Sequence, residues 1–166
     1  MKFLKNKYFT VVWTILRIWL GIQWIVPAIE KLKDPTWVGS KSGVAITGFL
    51  KGAVAKATGE HPAVQGWYAA FVQNVALPNA KIFSYLVPVG ELLVGISLIL
   101  GAATVIGLFA GAFMNLNYLL AGTTSTNPIL YTVAIILIAV GANAYLIGLD
   151  CFIAPYIKEK FGNRFA

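Results

Sequence analysis

Residues 82–121 read IFSYLVPVGELLVGISLILGAATVIGLFAGAFMNLNYLLA, forty residues in which Glu91 is the one charged side chain. The stretch divides at Gly101-Ala102-Ala103 into two apolar runs, about 82–100 and 104–121. Each approaches the roughly 20 residues that a bilayer core demands of a helix. Backbone groups in hydrocarbon must be satisfied within the segment, and runs of this length do that as helices rather than as barrel strands. The stretch therefore predicts a tight antiparallel hairpin of two membrane spans.

Two further runs flank it. Residues 8–29 contain one charge, Arg17, and residues 128–149 contain none, with Pro128 suited to the first turn of a helix. Gly122–Asn127 is a polar link between the third and fourth runs. The first run follows Lys2, Lys5 and Lys7 as a signal peptide would, but it is long, carries an arginine and ends in PAIEKLKD. It reads as a retained span. Over the whole 166 residues, 58% are hydrophobic, 11% are charged and the mean hydropathy is +0.77. Soluble domains carry about 25% charge, so soluble enzymes and nucleic-acid binders are excluded. The expected fold is all-α: an integral membrane four-helix bundle forming one domain.

Residues 31–80 link the first two spans and do not resemble a random linker. Ile46, Phe49, Leu50, Ala53, Val54 and Ala57 recur at helical spacing opposite Lys41, Lys51 and Lys56, and Val64, Trp67, Tyr68, Phe71 and Val75 repeat the pattern. Two amphipathic helices broken at Gly59-Glu60-His61-Pro62 are expected, forming a cap on the bundle mouth. Lys2, Lys5 and Lys7 at one end and Lys158, Lys160 and Arg164 at the other place both termini in the cytoplasm and the cap outside. Residues 150–166 form the cytoplasmic tail, where Phe152 to Phe165 suggest a further amphipathic helix.

Ionisable groups inside spans cost about 2.5–3.5 kcal/mol each on insertion scales. Counted at 1.5 Å per residue from the ends of the apolar runs, Arg17 and Glu91 reach about the same depth, near 14–15 Å. An ion pair between spans one and two is the expectation, structural or functional: a guanidinium to hold an anionic or carbonyl oxygen, and a carboxylate to accept a proton. Thr10, Thr14, Arg17, Gly21 and Ala28 share one stripe of span one. Ser84, Pro88, Glu91 and Gly95 share one of span two. Gly107, Gly111 and Asn115 recur every four residues, with Tyr118 one turn on. Small residues at that spacing let helices approach closely and carry Asn115 inward.

The outer ends of spans one and two carry Lys31, Lys33 and Lys81, which anchor the membrane surface or draw a small anion to the mouth. Five tryptophans fit interfacial belts. One His (His61) and one Cys (Cys151) are too few for a bis-His haem, a four-Cys cluster or a Cys/His zinc site. No metal or haem is expected, and redox chemistry then falls to a bound organic molecule or a partner.

The segments LRIWLGIQWIVPAIEKL, GWYAAFVQNVALPNAKIFSYL and VPVGELLVGISLILGAAT resemble the DoxX/DoxD family of small four-helix membrane proteins. The similarity leans to the DoxD-like branch, which resembles the large subunit of thiosulfate:quinone oxidoreductase. The resemblance implies a plasma-membrane protein that oxidises thiosulfate at the outer face and reduces quinone in the bilayer, alongside a second subunit. The residues it singles out are Arg17, Glu91 and Asn115, with Trp67 and Tyr68 in the cap; Tyr118, Lys31 and Lys81 join them as binding candidates from their positions. Competing readings are a non-catalytic membrane scaffold for a soluble redox or thiol partner, and a small-solute carrier. Expected partners are membrane lipid, quinone, a second oxidoreductase subunit and other copies of the chain.

Overall fold

The structure is a computed structural model and describes residues 9–152. The expected tail helix over Phe152–Phe165 and the terminal lysines lie outside the described residues, Phe152 apart. Among the described residues six α-helices follow one another: α1 (Thr10–Lys33), α2 (Val44–Ala55), α3 (Gly66–Phe71), α4 (Ala80–Leu100), α5 (Thr104–Leu120) and α6 (Asn127–Val140). A π-helical turn, Val72–Ala76, continues α3, and a 3₁₀ turn, Gly141–Ala144, continues α6. There is no strand among the described residues.

Helices α1, α4, α5 and α6 form the bundle, with α1 against α4, α4 against α5, and α6 against both α5 and α1. Its interior is Leu20, Trp24, Val94, Leu98, Leu108, Leu130, Ala134 and Leu137. Its outside is apolar too: Ile15, Val26, Leu93, Ile106, Phe113 and Ile129 are all more than half exposed. Such a surface would associate in water and is at home in lipid. Among the described residues three helices are long and apolar enough to cross a membrane, Thr10–Lys33, Ala80–Leu100 and Asn127–Ala144, while α5 is apolar and shorter at 17 residues. The chain is an all-helical membrane protein. Pro27 and Pro88 lie inside α1 and α4 without interrupting either helix, which removes the broken-helix signature that a carrier would carry.

Glycines set the register of α1 on α4. A Cβ on Gly21 would stand 2.9 Å from the Gly95 carbonyl oxygen, and one on Gly95 would stand 2.8 Å from that of Gly21. Neither backbone can yield, so only glycine permits this crossing. The hairpin turn follows from Gly101, whose φ of +63° ends α4 in the left-handed conformation.

The fourth apolar run departs from expectation. Its composition predicts a span over 128–149, but the helix ends at Val140 and the chain folds back onto the α4–α5 turn. Leu149 and Asp150 donate backbone hydrogen bonds to Leu100 and Gly101. The Asp150 carboxylate accepts from the amides of Ala103 and Thr104 at 2.7 and 2.8 Å, capping the start of α5.

The segment between α1 and α4 covers the opposite end of the bundle. It has its own core of Ile46, Leu50, Ala53, Val64, Tyr68, Val72 and Ala76, joined by Ala121 of the bundle. Tyr68 Oη donates to the Asn117 carbonyl at 3.0 Å, Lys56 Nζ donates to that of Gly122 at 2.9 Å, and Ser84 of α4 bonds Gly43 and Trp37. The inward face of α3 is Tyr68, Ala69 and then Val72, so Trp67 and Val75 of the expected stripe point outward instead, while Phe71 is partly exposed and lines an apolar cavity. A π-turn sets the faces after Phe71, and a strict 3.6-residue period misses that shift.

Candidate functional site: a polar cluster beneath the connecting helices

The expected Arg17–Glu91 pair does not form. Arg17 is 1% exposed and donates through Nη1 to the Ala144 carbonyl at 3.0 Å and through Nη2 to that of Ile147 at 2.8 Å. It lies beside Gly101 and Gly148, at the hairpin end, and Asp150 is the charge that acts on it. Glu91 stands ten residues before Gly101, about 15 Å further along α4. Depth counted from run ends fails because the Gly21–Gly95 crossing lets the start of α1 overhang the hairpin turn. Arg17 ties down the carbonyls that the shortened α6 leaves open.

Glu91 is 2% exposed and finds two other partners. Lys31 Nζ donates to its Oε1 at 2.5 Å and its Oε2 at 2.7 Å, and Tyr118 Oη donates to Oε1 at 2.7 Å. Lys31 continues the stripe of α1 that holds Arg17, Gly21, Trp24 and Ala28, so one helix face ends in the ammonium that neutralises Glu91. That ammonium also lies 5.3 Å from the Trp37 ring centroid and 5.9 Å from that of Tyr118, within cation–π range.

The cluster faces a chamber of about 240 Å³. Gln23, Trp24, Pro27, Lys31, Glu91, Tyr118 and Leu130 line it from the bundle, and Trp37, Ile46 and Phe49 line it from the connecting segment. Thr123, Ser125, Thr126 and Asn127, at the start of α6, give it a polar rim. The Trp24 ring lies 6.4 Å from that of Tyr118, and its buried Nε1 has no hydrogen-bond partner among the described residues. Asn115 is fully buried, as its stripe predicted, and its amide is likewise unpartnered among them. Gly111 makes room for the Trp24 indole, whose Nε1 would be 3.3 Å from a Cβ there.

A second cavity, apolar and about 350 Å³, lies on the other side of Phe49 and Tyr118. Its walls are the connecting helices, α4 from Phe83 to Gly90, and α5 from Ala110 to Tyr118. Tyr68 belongs to this cavity rather than to the Glu91 cluster; burial pushes its phenol above the usual tyrosine range, so at neutral pH it remains the donor to Asn117.

The structure thus brings Lys31, Glu91 and Tyr118 together and leaves other candidates apart. Trp67 is 60% exposed and bonds Gln65, Lys81 is exposed at the start of α4, and Arg17 is at the far end of α1. Sequence reasoning did not single out Trp24, Trp37, Phe49 and the Thr123–Asn127 rim as parts of one site. For Trp24 the signal was present, since it falls on the Arg17 stripe between Gly21 and Ala28.

The DoxX family model matches residues 12–123, from the first turn of α1 to just past the end of α5. A bundle of this helical order, with the match spanning two thirds of the chain, places the protein in the DoxX family of membrane proteins. Neither the curated proteins nor the solved structures contain a match to the chain.

Proposed function

We propose that the chain is the membrane subunit of a quinone-linked oxidoreductase that oxidises thiosulfate, or a similar small sulfur anion, and passes the electrons to membrane quinone. The observation carrying this reading is the Lys31–Glu91–Tyr118 cluster at the wall of the 240 Å³ chamber. Quinone reduction consumes two electrons and two protons. Two thiosulfate dianions joined by a new S–S bond release two electrons, passed directly or through the second subunit.

In this reading Lys31 donates to one quinone carbonyl oxygen through an N–H not used on Glu91, and Tyr118 turns its single hydroxyl hydrogen from Glu91 to the other, where negative charge develops on reduction. Glu91 orients both and accepts and returns the protons. The unpartnered Trp24 indole is a further donor at the same wall. Thr123, Ser125 and Thr126 offer hydroxyls at the rim, with Lys33 and Lys81 adding positive charge at this end of α1 and α4 to attract an anion. The mouth faces outward from the plasma membrane, and both termini are cytoplasmic. Arg17 holds the chain that follows α6 at the hairpin turn and takes no part in the chemistry.

The test is turnover by the purified protein in lipid nanodiscs with thiosulfate and a soluble quinone, followed by loss of quinone absorbance. The wild type consumes quinone, and Glu91→Gln and Tyr118→Phe slow it by about 10²-fold or more, the usual worth of a proton-transfer group. No turnover, even with candidate second subunits added, contradicts the proposal.

A further inference from the structure

The polar chamber and the apolar cavity are neighbours through shared residues: Ile46, Phe49 and Tyr118 line both. Phe49 and Tyr118 meet edge to face, with centroids 6.3 Å apart, and form the partition. One side of it, Tyr118, is fixed to Glu91; the other, Phe49, is half-buried and carried by the connecting segment. Beyond the partition the cavity reaches the lipid-facing surface, where Leu86 is 59% and Phe113 67% exposed. The π-turn Val72–Ala76 supplies Val72 and Ala76 to its wall, and such irregular turns concentrate at ligand sites.

We infer that the apolar cavity is the seat of the hydrocarbon chain of an amphiphile whose polar head occupies the Lys31–Glu91–Tyr118 chamber, the chain passing Phe49 and leaving between α4 and α5 into the bilayer. This rests on the reading of the chamber as a quinone head-group site and adds its route of entry and its selectivity for a chain-bearing quinone. The polar side would reject a bare hydrocarbon, because it would strip water from the rim of Thr123–Asn127 and leave the unpartnered Trp24 Nε1 without an acceptor. The apolar side offers a head group only Tyr68, Asn117 and Tyr118, whose hydrogen bonds are already made within the protein. Only a molecule with both parts fills both cavities.

The experiment uses the full chain in phosphatidylcholine nanodiscs, with quenching of tryptophan fluorescence reporting binding of one benzoquinone with and without a ten-carbon chain. Partition into the bilayer favours the chain-bearing form regardless of the protein, so wild type and variant are compared in the same discs. Gly90 lines the apolar cavity, and a Cβ there meets only the Met114 side chain, at 3.4 Å. Gly90→Leu therefore fills the cavity, and its folding is checked by thermal unfolding. It should weaken the chain-bearing quinone fivefold or more while changing the tailless one less than twofold. Equal effects on both, or none on either, overturn the chain site and leave the head-group reading standing. A quinone with a photoreactive chain provides a measurement on the wild type alone: labelling at Phe83, Leu86 or Phe113 supports the inference, and labelling confined to the outer face of α1 or α6 overturns it. If neither quinone quenches, the head-group reading fails; labelling of the cavity by a photoreactive phosphatidylcholine would then mark it as a plain acyl-chain site.

Discussion

Lys31, Glu91 and Arg17 are buried or half-buried charges of the bundle, and their neighbours assign them different work. Removing Lys31 alone strands a desolvated carboxylate, which is costlier than removing both partners. Lys31→Met should therefore destabilise the protein more than Lys31→Met combined with Glu91→Gln, with a coupling of about 0.5–3 kcal/mol in a double-mutant cycle followed by unfolding in detergent. Additive effects would contradict the pair. Arg17→Met should lower stability by about 1–3 kcal/mol for each carbonyl left unpartnered, while quinone affinity in the folded fraction is unchanged. A variant of normal stability that has lost quinone binding would reverse that assignment. The burial of both Arg17 and Glu91 was legible, because a charge inside an apolar run must turn inward. Their partners were not, since counting from the ends of runs presumes level ends. Lys31 reads as an anchor or a binding candidate at the mouth and not as the partner of Glu91, because the apolar run ends at Ile29, two residues before the helix places it against that carboxylate.

Among the elements, the α1–α4 crossing governs everything above it, for it decides which residue of α1 meets Glu91. Gly95→Ala puts a methyl against the Gly21 carbonyl, and overpacking of this kind costs about 1–3 kcal/mol. The expected result is a lower unfolding temperature with weakened quinone binding, as Lys31 is displaced from Glu91; normal stability would show that the two helices do not touch there. The glycine and small-residue stripes were visible in the sequence, but a stripe says which face packs and not how far one helix slides along another. The end of α6 at Val140 was hidden for a different reason. Residues 128–149 carry no charge and are mostly apolar, and hydropathy cannot separate a helix from a chain that folds back under it. The π-turn after Phe71 was equally silent, as it shifts the buried face without altering composition.

Across the whole molecule, four apolar runs and an amphipathic link defined an all-helical membrane bundle, and the family match agrees with that architecture. The arrangement concentrates its polar chemistry at the end where the connecting helices close over α1, α4, α5 and the start of α6, leaving the hairpin end to Arg17 and Asp150. On the proposed reading, that separation makes one end the ligand site, while the other end is a clasp. An experimental structure of the protein with a chain-bearing quinone is the most direct test of this division. The account predicts head-group density between Lys31, Tyr118 and Trp24, with the chain running past Phe49 towards Leu86 and Phe113. Head-group density beside Arg17, or on the outer surface of the bundle with the chamber collapsed, would contradict it.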